Sequence, residues 1–240
     1  MQKDRTVLYA TSWTTPPGLA AYSLSRSSSN DDDDAPVVPR LIGHVETASR
    51  SGYVCCSDVA VYSAGGASGE VYSLSSSRDG GNFLGAGLDA QETPVEPLQR
   101  LSFVSERESQ RDNGGVLDFG GLRHGAHSAD LSPDGRFLYV ADIGRNAVFT
   151  LRVVDHTTGK VEHSHKLVAP QEGDGPRHVW PHPNGTIVYS LQEHSSRVDA
   201  ARLDPDKGTL EWVQGVKIIP AGTPTHFLLS AAVRPSSSSS

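Results

Sequence analysis

The stretch "HSADLSPDGRFLYVADIGRNAVFTLRVVDHTTGK", His127 to Lys160, is echoed fifty positions further along the chain. Pro133-Asp134-Gly135 returns as Pro183-Asn184-Gly185, and Tyr139 returns as Tyr189. After each comes a polar turn, "DIGRN" or "QEHSSR", and then an alternating segment, "AVFTLRVV" or "VDAARLD". "HTTGKVEH" and "PDKGTLEW" follow in turn. Alternation fits a strand, because successive side chains point to opposite faces. Asp-Gly, Asn-Gly and Thr-Gly stand at the corners, where a tight hairpin requires positive φ. A period of about fifty residues built from short strands marks a β-propeller blade.

Weaker copies lie upstream. "TVLYATSWTTPPGLAAYSLSR" (Thr6 to Arg26), with "RLIGHVE" after it, has the same layout, as does "YVCCSDVAVYSAGGASGEVYSLSSS" (Tyr53 to Ser77). No stretch shows a convincing helical period. The expected fold is all-β: an incomplete array of about four blades of four antiparallel strands each, forming an open arc. The blades fall at 6–50, 51–116, 117–170 and 171–220. A sandwich also contains many short strands, but the repeat favours the propeller. "SRSSSNDDDD" (Ser25 to Asp34) is too polar to offset its ordering entropy and is expected to be a disordered insertion. "SERESQRDNGG" (Ser105 to Gly115) reads as a long polar loop, and 221–240 as a low-complexity tail.

Composition excludes several function classes. With 240 residues, 36% hydrophobic, the chain is long enough to bury a core. A net charge of −7 implies no general attraction to nucleic acid or anionic lipid. No window approaches the ~18 apolar residues of a membrane span. The opening "MQKDRTVLYATSW" lacks the apolar core of a secretory leader, so a cytoplasmic location is expected. Cys55 and Cys56 are adjacent, which disfavours a disulfide and reads as a strand holding two thiols.

Two clusters carry candidate chemistry: "LRHGAHSADLSPDG", with His124 and His127, and "GDGPRHVWPHPNG", with Arg177, His178 and His182. Propellers place the connections before inner strands at the mouth of the central channel. Arg177 follows His127 by fifty, so the two occupy equivalent places on successive blades. Glu193 ends the next strand, where the preceding blade has Ile143 beside Asp142. Bland readings stand beside these. His124 and His127 have half a zinc spacing but no matching Cys or carboxylate, so no metal is expected. His182 is most simply a turn residue, and Glu193 has a second possible partner in Arg197. His163 and His165 alternate on an outer strand and are expected to face solvent. Arg177 is harder to dismiss: glycine and proline fix its loop, and a fixed guanidinium grips carboxylate or phosphate.

Together, "LYATSWTTPPGLAAYSL", "HSADLSPDGRFLYVADIGRNAVFTLRV" and "GDGPRHVWPHPNGTIVYSLQEHSSRV" resemble the fungal carboxy-cis,cis-muconate cyclases. These belong to the lactonase group of seven-bladed propellers, which also holds a 6-phosphogluconolactonase branch. The resemblance is strongest over Leu117 to Leu210. It implies lactonisation of 3-carboxy-cis,cis-muconate, without cofactor, on a small anionic substrate. His127, Arg177 and Glu193 match the family's catalytic histidine, arginine and glutamate, and His124 and His178 are added as substrate-binding residues. The family's second arginine has no counterpart here. Seven blades of about 45–50 residues exceed three hundred residues, so the array is expected to stop near the fourth or fifth. Such an arc exposes two strand edges, and self-association is expected. A lactone hydrolase and a non-catalytic binding platform are the alternative readings.

Overall fold

A computed structural model describes residues 7–26, 37–75, 81–86, 94–104, 125–220 and 222–223. They form strands and turns; none of them is helical, so no described helix could cross a bilayer. Fifteen strands build four antiparallel sheets. The first contains β1 (Val7–Ser12), β2 (Gly18–Arg26) and β3 (Val37–Glu46). The second contains β4 (Tyr53–Cys56), β5 (Ala60–Ala64), β6 (Ser68–Ser73) and β7 (Gln99–Ser102). The third runs through β8 (Ala126–Leu131), β9 (Phe137–Asp142), β10 (Ala147–Asp155) and β11 (Lys160–Val168). The fourth runs through β12 (Pro176–Pro181), β13 (Ile187–Gln192), β14 (Arg197–Asp204) and β15 (Thr209–Lys217). Gly135 and Gly185 take φ of 69° and 72° in the matching hairpins between first and second strands, as the repeated Asp-Gly and Asn-Gly predict.

Each sheet is a blade, and the blades stack face to face. Strand β9 is buried along its whole length because both its faces meet a neighbour. Phe137, Tyr139 and Ala141 pack with Val179, Val188 and Leu203 of the fourth sheet. Leu138 and Val140 pack with Tyr62, Val71 and Leu101 of the second. Leu19, Ala21 and Val45 join Val61 and Tyr72 between the first two sheets. Leu138→Ala, at a fully buried position, is expected to lower the unfolding free energy by about 2–5 kcal/mol, read from the urea midpoint.

One tyrosine marks the second strand of every blade. Tyr62, Tyr139 and Tyr189 each stand opposite the fourth residue of the following strand, Val71, Thr150 and Ala200. Tyr9 stands likewise opposite Ala21. Strand β1 is therefore a second strand, and the first blade has three strands, lacking an inner one among the described residues. Among the described residues the first sheet thus accounts for three of the four strands expected of a blade, and the other three sheets for all four. The expected disorder from Ser25 is corrected at its start: Ser25 and Arg26 end β2, paired with Val38 and Val37. The remainder of that insertion, the loop after 104 and most of the tail lie outside the described residues.

On the outer strand β11, His163 is exposed, as expected, and His165 is half-buried, but both also reach a neighbouring blade. A bulge in the β10–β11 ladder between the pairs Thr150–His165 and Leu151–His163 turns them to opposite sides. His163 Nε2 bonds the Ser102 carbonyl of the second blade, and His165 Nε2 the Leu210 carbonyl of the fourth, both at 3.1 Å. These histidines tie neighbouring blades together.

Candidate active site

The first strands β4, β8 and β12 lie side by side, which makes them the inner strands of their blades. At the start of β8 the ladder skips from Ala126–Asp142 to Ser128–Ala141, leaving His127 as the extra residue of a β-bulge. At the start of β12 it skips from Pro176–Gln192 to His178–Leu191, leaving Arg177 as the extra residue. The fifty-residue equivalence thus reaches backbone geometry, since both side chains are re-aimed by the same irregularity. Bulges of this kind recur beside active sites, where they redirect a side chain and bend the strand. In the second blade, Gly52 donates to the Ala64 carbonyl at the corresponding place, and a Cβ there would meet the His127 carbonyl oxygen at 2.8 Å. A glycine in that place lets the His127 backbone approach closely.

The next position on each inner strand forms a second tier. Tyr53 stands opposite Ala64, Ser128 opposite Ala141, and His178 opposite Leu191. Ser128 is fully buried and accepts a hydrogen bond from the Val179 N–H. Because it is small, rings from the blades on either side can meet over it. Tyr53 and His178 do so edge to face, with centroids 5.6 Å apart. His178 also lies 5.2 Å from His127, tilted by 34°.

Glu193 follows β13 and brings its carboxylate to Arg177, Oε2 to Nε at 3.0 Å. Oε2 itself meets the guanidinium as an ion pair and makes no hydrogen bond. The alternative partner is occupied elsewhere: Arg197 bonds Asp199 at 2.8 Å. Arg177 also meets His178, a guanidinium nitrogen lying 3.1 Å from Nε2. Guanidinium carries only donors, so His178 accepts at Nε2 and holds its proton at Nδ1.

His127 is 5% exposed, and its Nδ1 has no hydrogen-bond partner. Burial, then the charge of Arg177, then His178 push its pKa down to about 3, against an opposing hydrogen bond from the ring to the Arg177 backbone. In the unliganded site His127 is therefore a neutral imidazole. A bound polyanion beside Arg177 would relieve much of that repulsion.

The structure therefore gathers His127, Arg177, His178 and Glu193. His124 lies outside the described residues. His182 accepts the Asn184 N–H at 3.1 Å and caps its own turn, as read from "HPNG". Sequence reasoning missed Tyr53 and Trp13. Trp13 follows Tyr9 by four, as Glu193 follows Tyr189, so it holds the equivalent place in the first blade. Its indole N–H donates to the Ser51 carbonyl at 2.8 Å, two residues before Tyr53. The recurring tyrosine was the signal for both. Among the described residues, no group of three or more His, Cys, Asp or Glu is arranged to hold a metal ion.

Comparison with known proteins agrees with this architecture. A protein of Cutaneotrichosporon cutaneum named muconate cycloisomerase 1 is 45% identical over 217 residues, covering 90% of this chain and 52% of that protein. A 6-phosphogluconolactonase of an Enterobacter species is 36% identical over 99 residues, 40% of this chain and 29% of its own length. This chain thus spans about half the length of the first relative and less of the second. Among solved structures, the Pseudomonas aeruginosa periplasmic gluconolactonase superposes with a TM-score of 0.65 at 20% identity, covering 93% of this chain and 58% of that one. At that identity the likeness establishes the fold alone. The family described as lactonase, 7-bladed β-propeller, matches residues 1–240. The chain belongs to the lactonase family of seven-bladed β-propellers.

Proposed function

We propose that the site serves a cycloisomerase that closes 3-carboxy-cis,cis-muconate to 3-carboxymuconolactone. The observation that carries this is the bulge-aligned pair His127 and Arg177, with Glu193 held on the guanidinium. The 45% identity to a muconate cycloisomerase supports it. In the reaction, a carboxylate oxygen of the substrate adds to a carbon of the conjugated system. The displaced electron pair collects on another carboxylate as an enediolate, and a proton then adds at the carbon α to it. Substrate and product are isomers, so atoms balance without a co-substrate.

A cation must steady the enediolate and a donor must supply the proton. Arg177 has the planar fork for the first task, and Glu193 fixes its orientation. His127 is placed for the second, taking up the proton as the substrate's negative charge offsets Arg177. His178 and Tyr53 would flank the conjugated plane. The expected result is turnover of 3-carboxymuconate, followed by loss of its ultraviolet absorbance, with no turnover of 6-phosphogluconolactone assayed beside it. The reverse pattern would install the lactone hydrolase that the 36% match favours. Turnover of neither would leave a binding platform.

A further inference from the structure

We propose that Asn146, on the third blade, is a positioning residue that holds the Arg177–Glu193 pair of the fourth. The proposal rests on the reading of that pair as the anion-binding centre. Asn146 sits in the turn between β9 and β10, and it anchors the crossover to β12 at three points. Its backbone carbonyl accepts the Ala169 N–H at 2.8 Å, its Nδ2 donates to the Gln171 carbonyl at 2.7 Å, and its Oδ1 accepts the Gly175 N–H at 2.8 Å. The segment so gripped, Gln171 to Gly175, leads directly into Pro176 and the bulged Arg177.

From the other side the same segment is joined to the residues around Glu193. The Gly175 carbonyl accepts the Glu193 N–H at 2.8 Å, and the Asp174 carbonyl accepts the His194 N–H at 3.0 Å. The fully buried Asp174 takes the Gln171 N–H on Oδ2 at 3.0 Å, closing the loop on itself. Gly175 has φ of 73°, a conformation open chiefly to glycine. A flexible residue thus stands next to the site, and Asn146 ties it down. The Asn146 amide therefore reaches Glu193 through a single residue, Gly175, and through Glu193 the guanidinium of Arg177.

Asparagine here has a bland explanation, which the repeat tests internally. Asn146 has φ of 49°, and asparagine tolerates left-handed backbone better than most residues. Ser196 holds the equivalent turn of the fourth blade with φ of 50°, and its carbonyl accepts the Ile218 N–H at 3.0 Å. Serine therefore satisfies both the backbone conformation and the first anchor. What it lacks is the side-chain reach to two points of the crossover. The amide stands in the turn that precedes Arg177.

Asn146→Ser and Asn146→Asp separate these roles. Serine copies the next blade and removes both side-chain bonds, whereas aspartate keeps an oxygen for the Gly175 N–H. Amide exchange is measured on the unliganded chain, and 3-carboxymuconate binding by calorimetry. The expected result for Asn146→Ser is exchange at least tenfold faster at Gly175 and Glu193, unchanged exchange in β9, and at least tenfold weaker binding. Asn146→Asp should restore protection at Gly175 and most of the affinity. Wild-type protection at Gly175 and Glu193 in Asn146→Ser would overturn the proposal, as would a uniform loss across β9 and β10 in both variants. If the unaltered chain fails to bind 3-carboxymuconate, the functional reading falls, while the exchange data still decide the role of Asn146.

Discussion

Arg177→Lys should bind a tricarboxylate at least tenfold more weakly and turn it over at least tenfold more slowly, with the fold intact. Lysine keeps the charge, so any loss reports geometry. The guanidinium now presents Nε to Glu193 and another nitrogen to His178 at the same time. A single ammonium on a flexible stem cannot hold both contacts while meeting a planar carboxylate edge-on. Tenfold corresponds to ~1.4 kcal/mol of transition-state stabilisation, a modest part of what a charge-assisted, bidentate contact supplies. His163→Ala is the control. Its side chain links two outer strands through the Ser102 carbonyl, so it should lower thermal stability slightly and leave kinetics unchanged. Equal kinetic losses in the two variants would remove Arg177 from the centre of the site.

How far the site could be read from the sequence depended on loop length. Where successive blades have hairpins of equal length, the fifty-residue offset places His127 and Arg177 together directly. The second blade has a shorter turn between its first two strands. Tyr53 precedes Tyr62 by nine residues, whereas Ser128 and His178 precede Tyr139 and Tyr189 by eleven. Tyr62 also precedes Tyr139 by 77 residues rather than fifty, so a fixed offset slides past Tyr53, although the tyrosines hold equivalent places in their ladders. Trp13 was hidden for a related reason: the described part of the first sheet begins on a second strand, which leaves no described inner strand to align. The bulge beside His163 was illegible because an extra residue in a ladder arises from pairing, which leaves no mark on alternation within one strand. The same holds for His127. Its position followed from the repeat, but its proton affinity followed from burial and a neighbour fifty residues away.

That proton affinity gives the second large effect, seen in stability against pH. In the unfolded chain His127 titrates near its ordinary value, about 6.5, and in the folded chain near 3. Between these values the unfolded state binds a proton that the folded state refuses, so stability rises with pH across the window. Above about 6.5 both states are neutral at this residue and its contribution is flat. Moving down from pH 7 to pH 4, the wild type should lose on the order of a few kcal/mol to this imidazole, since each factor of ten in proton affinity is worth ~1.4 kcal/mol. Asp134 and Asp155, whose pKa values are held down to about 2 by hydrogen bonds from their own turns, also cost stability in acid. A direct comparison with His127→Gln cancels them, because both proteins contain them. The variant should therefore be relatively more stable than wild type at pH 4 than at pH 7, by urea unfolding at the two values. Equal pH slopes would show that His127 is already able to charge in the empty site. Neither burial nor the charge of Arg177 would then be holding its proton affinity down, and His127 would need no help from a bound anion to deliver its proton.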